Sequence, residues 1–168
     1  MVESAYQDLL GERAPRVDEG GATIRLLSGN LEGLEAPAQT RTPVQYLDVR
    51  IEPGRRCDLP IPAAHNGFVL VVEGDATVGA EPVDAHAGQV LWLDYPQALA
   101  GDARIDTLRV TAARPSRLLV VTGEPIRERV VAYGPFVMNS EEEIRQAYLD
   151  FHSGKFGGPT PAATGLES

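Results

Sequence analysis

The chain has 168 residues, of which 43% are hydrophobic and 23% charged, proportions typical of a packed globular domain. Its 24 acidic and 15 basic residues give a net charge of −9, which disfavours binding to nucleic-acid backbones or anionic membranes. The single cysteine excludes an internal disulfide, and the first ten residues lack the basic start and apolar core of a signal peptide. We therefore expect a soluble, cytoplasmic protein of one domain.

Short runs rich in Val, Ile and Leu alternate with Gly and Pro along most of the chain, which predicts an all-β protein. The predicted strands lie near 23–28, 44–51, 68–73, 76–78, 89–93, 106–112 and 117–122. So many short strands predict a β-sandwich or a jelly-roll β-barrel over residues 22–124, preceded by an N-terminal arm, 1–21.

One segment near the C-terminus has helical periodicity instead. Four apolar residues recur at the spacing of one helix face: Ile144, Ala147, Tyr148 and Phe151. Ser140 and Glu143 have the spacing of a capping box, and if Asn139 is the cap then Glu142 takes the same place. We predict a helix at about 140–153 within a C-terminal segment, 125–158, followed by a flexible tail, 159–168.

The three histidines are the residues to test for a metal site. The stretch that begins at His65 is similar to the first motif of cupin barrels, which carries His-x-His and then a Glu, but Gly67 stands at the second histidine position. The second cupin motif begins at His86 and has no further histidine before His152. With one of four expected ligands left, we predict no metal site and no metal or other cofactor. We expect His65 at the barrel mouth, His86 in a solvated loop, and His152 in a structural role at the helix end.

No arrangement of nucleophile and base is recognisable, so no catalytic residue is predicted. Cys57 follows two arginines, which would lower its thiol pKa, and precedes Asp58, which would raise it. We interpret Cys57 as an unreactive loop residue. Trp92 and Tyr46 lie within predicted strands, where core positions are the more common role for aromatic residues.

A long irregular run at residues 131–144, VAYGPFVMNSEEEI, closely resembles the C-terminal domain of pirins. Residues 6–9, 37–40 and 65–66 also resemble that domain, and the resemblance covers about 6–158. It implies a single cupin-type jelly-roll barrel with a C-terminal helix. Pirins are bicupins whose N-terminal barrel holds an iron-type metal through three histidines and a glutamate, while the C-terminal barrel has lost its ligands. Some members are described as quercetin dioxygenases and others as transcriptional co-regulators.

The resemblance therefore implies a non-catalytic cupin-fold protein, either a protein-interaction or a small-ligand-binding module. The alternative is a metal-dependent, quercetin-dioxygenase-like oxygenase that is complete only with a separate metal-bearing partner. The candidate residues of a barrel-mouth pocket are His65, Asn66, Trp92 and Tyr46. A lone half of a bicupin is expected to expose apolar surface, so we predict a homodimer, or pairing with a separate pirin-type N-terminal half. The candidate interface residues are Ile144, Ala147, Tyr148, Phe151 and Tyr6.

Overall fold

The computed structural model of the chain describes residues 7, 10–93 and 104–157. It divides into two compact units, Met1–Pro125 and Ile126–Ser168. After a 3-10 turn at Gly11–Arg13, the strands of the first unit are β1 (Arg16–Glu19), β2 (Ala22–Ser28), β3 (Asn30–Leu31), β4 (Leu34–Glu35), β5 (Val44–Ile51), β6 (Arg55–Pro62), β7 (Asn66–Glu73), β8 (Asp75–Val78), β9 (Val83–His86), β10 (Val90–Leu93), β11 (Ile105–Ala112) and β12 (Ser116–Gly123). The second unit contains β13 (Val131–Tyr133), β14 (Phe136–Met138) and the helix α1 (Glu141–His152).

Two antiparallel sheets form the body of the first unit. The larger has six strands in the order β1-β2-β5-β12-β7-β10, and the smaller has four in the order β6-β11-β8-β9. Every second side chain of β2 and β12 is buried, which is the two-residue period of a strand with one face on a core. Residues of both sheets meet in one apolar cluster that includes Leu47, Val69 and Leu118 from the larger sheet and Leu59 and Val110 from the smaller. The sheets therefore pack face to face around a single core.

All seven predicted strands are confirmed, with ends shifted by one or two residues. The strand β6 was not among those predicted, and Pro60 and Pro62 are unfavourable in a strand interior. The structure accommodates both prolines because β6 is an edge strand, which among the described residues pairs with β11 alone. Cys57 therefore lies in a strand rather than in a loop, and its side chain is buried in the core. Burial raises the pKa of the Cys57 thiol to about 11, and the charges of Glu19 and Asp58 act in the same direction.

The helix of the second unit begins and ends close to its predicted bounds, and its cap has the predicted chemistry. Ser140 Oγ accepts a hydrogen bond from the Glu143 amide at 3.2 Å, and the Glu143 carboxylate accepts from Ser140 Oγ at 2.9 Å and from the Asn139 amide at 3.2 Å. The helix contacts the β13–β14 hairpin, where Phe136 packs edge-on against Tyr148 with ring centroids 4.9 Å apart.

The apolar face of α1 is only partly available to a partner. Ile144 and Ala147 are buried within the chain, so the expectation that this whole face is exposed is wrong for these two residues. Tyr148 is half-buried, and Phe151 is 59% exposed. Tyr6 lies outside the described residues, as do residues 158–168, where the flexible tail was predicted. In the described parts of the chain, no helix is both long and apolar enough to cross a bilayer.

Candidate binding site at the polar end of the barrel

Four buried polar side chains gather at one end of the interior of the six-stranded sheet: Ser28, Gln45, His65 and Thr122. The strand register brings them together. Gln45 in β5 is opposite Thr122 in β12, and Thr122 is opposite Gly67 in β7, two residues after His65. Ser28 lies at the end of β2, beside the start of β5. The interior therefore changes along these strands from an apolar core to a polar end.

His65 is held immediately before β7 by both its backbone and its ring. Its amide donates to the Pro62 carbonyl at 2.9 Å, and its Nδ1 lies 3.0 Å from Thr122 Oγ1. Burial lowers the pKa of the His65 imidazole, and the nearby Glu124 carboxylate opposes this with a smaller effect. Near neutral pH the ring is thus uncharged, with one nitrogen that donates a hydrogen bond and one that accepts.

Gln45 is 3% exposed, and of its side-chain amide the nitrogen is hydrogen-bonded whereas the oxygen is not. Its Nε2 donates to the carbonyls of Asn30 at 3.0 Å and Pro60 at 3.1 Å, which fixes the orientation of the amide because a flipped Oε1 would face two acceptors. Gln45 Oε1 and the nearby Ser28 Oγ are both buried and have no hydrogen-bond partner among the residues that the structure describes. A buried polar atom without a partner costs about 1–3 kcal/mol, so the polar end can bind a group that donates hydrogen bonds.

An open recess of about 630 Å³ adjoins this cluster. Gln45, His65 and Pro62 line it, together with residues of the segment between β2 and β5, among them Asn30 and Gln39. Its charged lining residues, Glu35 and Arg41, are both exposed. The volume falls within the range of small-molecule sites, about 300–1,000 Å³.

The four residues predicted to share a pocket lie on different surfaces. His65 lines the recess, whereas Asn66, the first residue of β7, is exposed. Tyr46 and Trp92 lie on the outer face of the six-stranded sheet, in one row with Phe68 and Val121. Trp92 is 78% exposed and packs edge-on against Phe68 at a centroid distance of 5.7 Å. The expectation of a core position is therefore wrong for Trp92, and Tyr46 is only half-buried.

The other two histidines have different partners. His86 is the last residue of β9 rather than a loop residue, although its ring is exposed as expected, and its Nδ1 lies 2.9 Å from Asp75 Oδ1. The hydrogen bond from the Arg114 guanidinium lowers the pKa of the Asp75 carboxyl, and the hydrogen bond from His86 adds a smaller effect in the same direction. His152, in the last turn of α1, donates from Nδ1 to the Tyr148 carbonyl at 2.7 Å, which is a structural contact.

The polar end does not fit an iron-type metal. One imidazole, two hydroxyls and an amide are a poor donor set for iron, which favours several imidazoles and carboxylates. Gly67 also leaves no room for a second histidine, because a Cβ there would overlap the Val121 carbonyl and lie 2.8 Å from Thr122 Cα. Among the described residues, no group of three or more His, Cys, Asp or Glu side chains is placed to hold a metal ion.

Sequence reasoning missed Ser28, Gln45 and Thr122, although a signal for Gln45 was present. The alternation of β5 places Gln45 on the same face as Leu47 and Val49, which are fully buried. A polar residue in phase with core positions of a strand is a buried polar group that needs partners. Ser28 and Thr122 follow the same rule in β2 and β12.

Comparisons with known proteins agree with this fold and cover most of the chain. The model of the pirin C-terminal cupin domain matches residues 46–157. The chain is 38% identical to pirin of Homo sapiens over 159 residues, and this alignment covers 94% of this chain and 52% of that protein. It is 36% identical over 158 residues to a pirin-like protein of Solanum lycopersicum, and this alignment also covers 94% of this chain and 52% of the relative. The chain thus spans about half the length of the curated relatives it matches.

Solved structures give the same result. A quercetin 2,3-dioxygenase from Acinetobacter baumannii superposes with a TM-score of 0.76 at 29% identity, over 92% of this chain and 51% of that one. The protein GK1651 from Geobacillus kaustophilus superposes with a TM-score of 0.72 at 35% identity, over 77% of this chain and 51% of that one. The predicted jelly-roll cupin fold is confirmed. The chain belongs to the pirin family, and the part of a pirin that it matches is the C-terminal cupin domain.

Proposed function

We propose that this chain is a non-catalytic cupin-fold binding module that takes a small, uncharged, hydroxyl-bearing molecule in the recess beside Gln45 and His65. The observation that carries the proposal is the unsatisfied Gln45 Oε1, a buried acceptor beside a recess of ligand size. A hydroxyl that donates to this oxygen offsets the cost of burying it. Ser28 Oγ and the ring of His65 supply further hydrogen-bonding groups at the same end.

The charges at the buried polar end favour an uncharged ligand, and the exposed Glu35 and Arg41 that line the recess have opposite charges. The polar end contains no cationic side chain, since burial keeps His65 neutral, and both Gln45 Oε1 and Glu124 repel an anion. A cationic ligand would lose its hydration without gaining an ion pair, because there is no carboxylate in the buried cluster of Ser28, Gln45, His65 and Thr122. The net charge of −9 adds a further, long-range penalty for anions.

Catechol and benzoate are a suitable pair of probes, because they are similar in size and differ in charge. We expect catechol to shift the NMR signals of the Gln45 side-chain amide and the His65 ring, and benzoate to leave them in place. Ser28→Ala should weaken catechol binding, whereas Ser153→Ala, which removes an exposed hydroxyl bonded to Asp150, should not change it. Equal shifts with both probes, or none with catechol, would refute the proposal.

A second candidate is an oxygenase that is complete only when a separate metal-bearing half joins this chain. It is favoured by the half-length match to a protein named quercetin 2,3-dioxygenase. The test is to mix the purified chain with the N-terminal half of a pirin loaded with iron, and to follow oxygen uptake with quercetin. Activity of the mixture well above that of the iron-bearing half alone would favour this candidate over a non-catalytic module.

A further inference from the structure

The two sheets end in four edge strands, and these differ in how well they are protected against pairing with another chain. Natural edge strands usually carry charges, prolines or bulges that block such pairing. On the described residues, β1 reads RVDE, β9 reads VDAH, and β6 contains three charged residues and two prolines. The fourth edge, β10, reads VLWL and has neither charge nor proline. It is thus the one unprotected edge among these four.

The backbone of β10 has hydrogen-bonding groups that point away from its neighbour β7. The Val71 amide donates to the Gln89 carbonyl at 3.0 Å, so the alternating ladder next joins Leu91 to Val69 and Leu93 to Gly67. The amides and carbonyls of Val90 and Trp92 then face outward. Among the residues that the structure describes, no strand is hydrogen-bonded to β10 on that side.

The side chains of the same two residues form an exposed apolar pair. Trp92 is 78% and Val90 44% exposed, and both lie on the outer face of the sheet next to half-buried Phe68 and Leu70. The outward backbone groups and the exposed side chains thus belong to the same residues. An edge with this combination is a template for an antiparallel strand.

We propose that two copies of this chain pair through β10, antiparallel and about a two-fold axis, so that the two six-stranded sheets become one. In the register with Leu91 opposite Leu91 of the other copy, Val90 of each copy is opposite Trp92 of the other. Val90 and Trp92 exchange their outward hydrogen bonds in this register, and the indole of each copy covers the valine of the other.

A second copy is the occupant because the edge complements itself. One two-fold operation brings Val90 of each copy opposite Trp92 of the other, as an isologous interface requires. The strand contains no charged residue, so it brings no like charges together. The area limits the strength, however. An aromatic side chain buries roughly 150–250 Å², so the Trp92 pair and a four-residue edge fall short of the ~1,200 Å² of stable interfaces. The expected dimer is therefore weak and reversible.

Sedimentation equilibrium with Val90→Lys and Val83→Lys tests this proposal. Val83 is a suitable control because it is 50% exposed and lies in β9, the edge of the other sheet. We expect reversible dimers of wild type and of Val83→Lys, and at least about a tenfold rise in the dimer dissociation constant for Val90→Lys. Because each copy carries a charge of −9, added salt should strengthen the wild-type dimer.

Fluorescence supplies a second readout, since Trp92 is the single tryptophan of the chain. Its emission should shift to shorter wavelength as the protein concentration rises, and this shift should be lost in Val90→Lys. A wild type that stays monomeric up to about millimolar concentration, far above the Kd of most specific complexes, would overturn the proposal. So would a dimer that survives Val90→Lys and is dissociated by Phe151→Ser, because the contact would then be on α1.

The pairing and the proposed ligand site can fail separately. None of the β10 residues lines the recess beside Gln45. Val90→Lys should therefore keep the catechol-induced NMR shifts, and Ser28→Ala should keep the wild-type dimer constant.

Discussion

Two buried serines with opposite hydrogen-bond status give a sharp test of the polar end. Ser28 is 6% exposed, and its hydroxyl has no hydrogen-bond partner within the described part of the chain. Ser116 is 5% exposed, and its hydroxyl accepts from the Asp75 amide at 3.0 Å and donates towards the carbonyls of Asp75 and Arg114 at 2.6 and 2.9 Å. Both residues lie at strand ends, so alanine changes strand propensity about equally at the two positions.

The two alanine substitutions should have clearly different effects on the free energy of unfolding. Ser116→Ala leaves the Asp75 amide without an acceptor, which should cost about 1–3 kcal/mol. Ser28→Ala removes a hydroxyl that is already unsatisfied, so it should be neutral or stabilise the fold by up to about 1 kcal/mol. The difference between the two variants should exceed about 1 kcal/mol.

Urea denaturation followed by circular dichroism measures both changes, with equal m-values as a check that the transitions are comparable. The melting temperatures should differ by at least about 2–4 °C for a protein of this size. If Ser28→Ala loses as much stability as Ser116→Ala, then Ser28 has a hydrogen-bond partner in the unliganded protein. Ser28 would then give no support to a ligand donor at this end, and the proposal would rest on Gln45 Oε1 alone.

Three further predictions concern residues outside this pair. Cys57, with its buried thiol and a pKa raised to about 11, should resist iodoacetamide at mildly alkaline pH and react after unfolding in urea; rapid alkylation of the native protein would contradict its burial. Folding lowers the pKa of His65, so the unfolded state takes up this proton more readily than the folded state as the pH falls below about 6.5. Stability should therefore drop there, and the drop should be smaller in His65→Gln. An unchanged pH slope in that variant would assign the effect to other groups. Ser140→Ala should destabilise α1 by about 1 kcal/mol in thermal melts, whereas Ser153→Ala should stay within about 0.5 kcal/mol of wild type; equal losses would show that the cap is not the cause.

The elements that were predictable are those in which local pattern and tertiary environment agree. The alternation in β5 and the four-residue apolar spacing of α1 are properties of the chain itself, so their positions follow from sequence. In β6 the local sequence pattern and the tertiary environment disagree. Its prolines oppose a strand locally, and only its place at a sheet edge, which depends on the whole topology, makes them tolerable.

The candidate site was harder to predict than the fold because it depends on register across strands. Gln45 and Thr122 are 77 residues apart in sequence and become neighbours only through the pairing of β5 with β12. The exposure of Trp92 has a similar origin, since residue type favours a core position and its place in an edge strand overrides that preference. The pocket predicted from residue type therefore combined side chains from both faces of one sheet.

The close approach of β7 and β12 at Gly67 makes it hard to introduce a side chain at this position. With no side chain at residue 67, the backbones of β7 and β12 are free to settle so near each other that any Cβ would now collide with main-chain atoms of Val121 and Thr122. A protein engineer who wished to install a metal ligand there would have to separate two central strands before adding the histidine. Such a change also requires compensating substitutions elsewhere in the core.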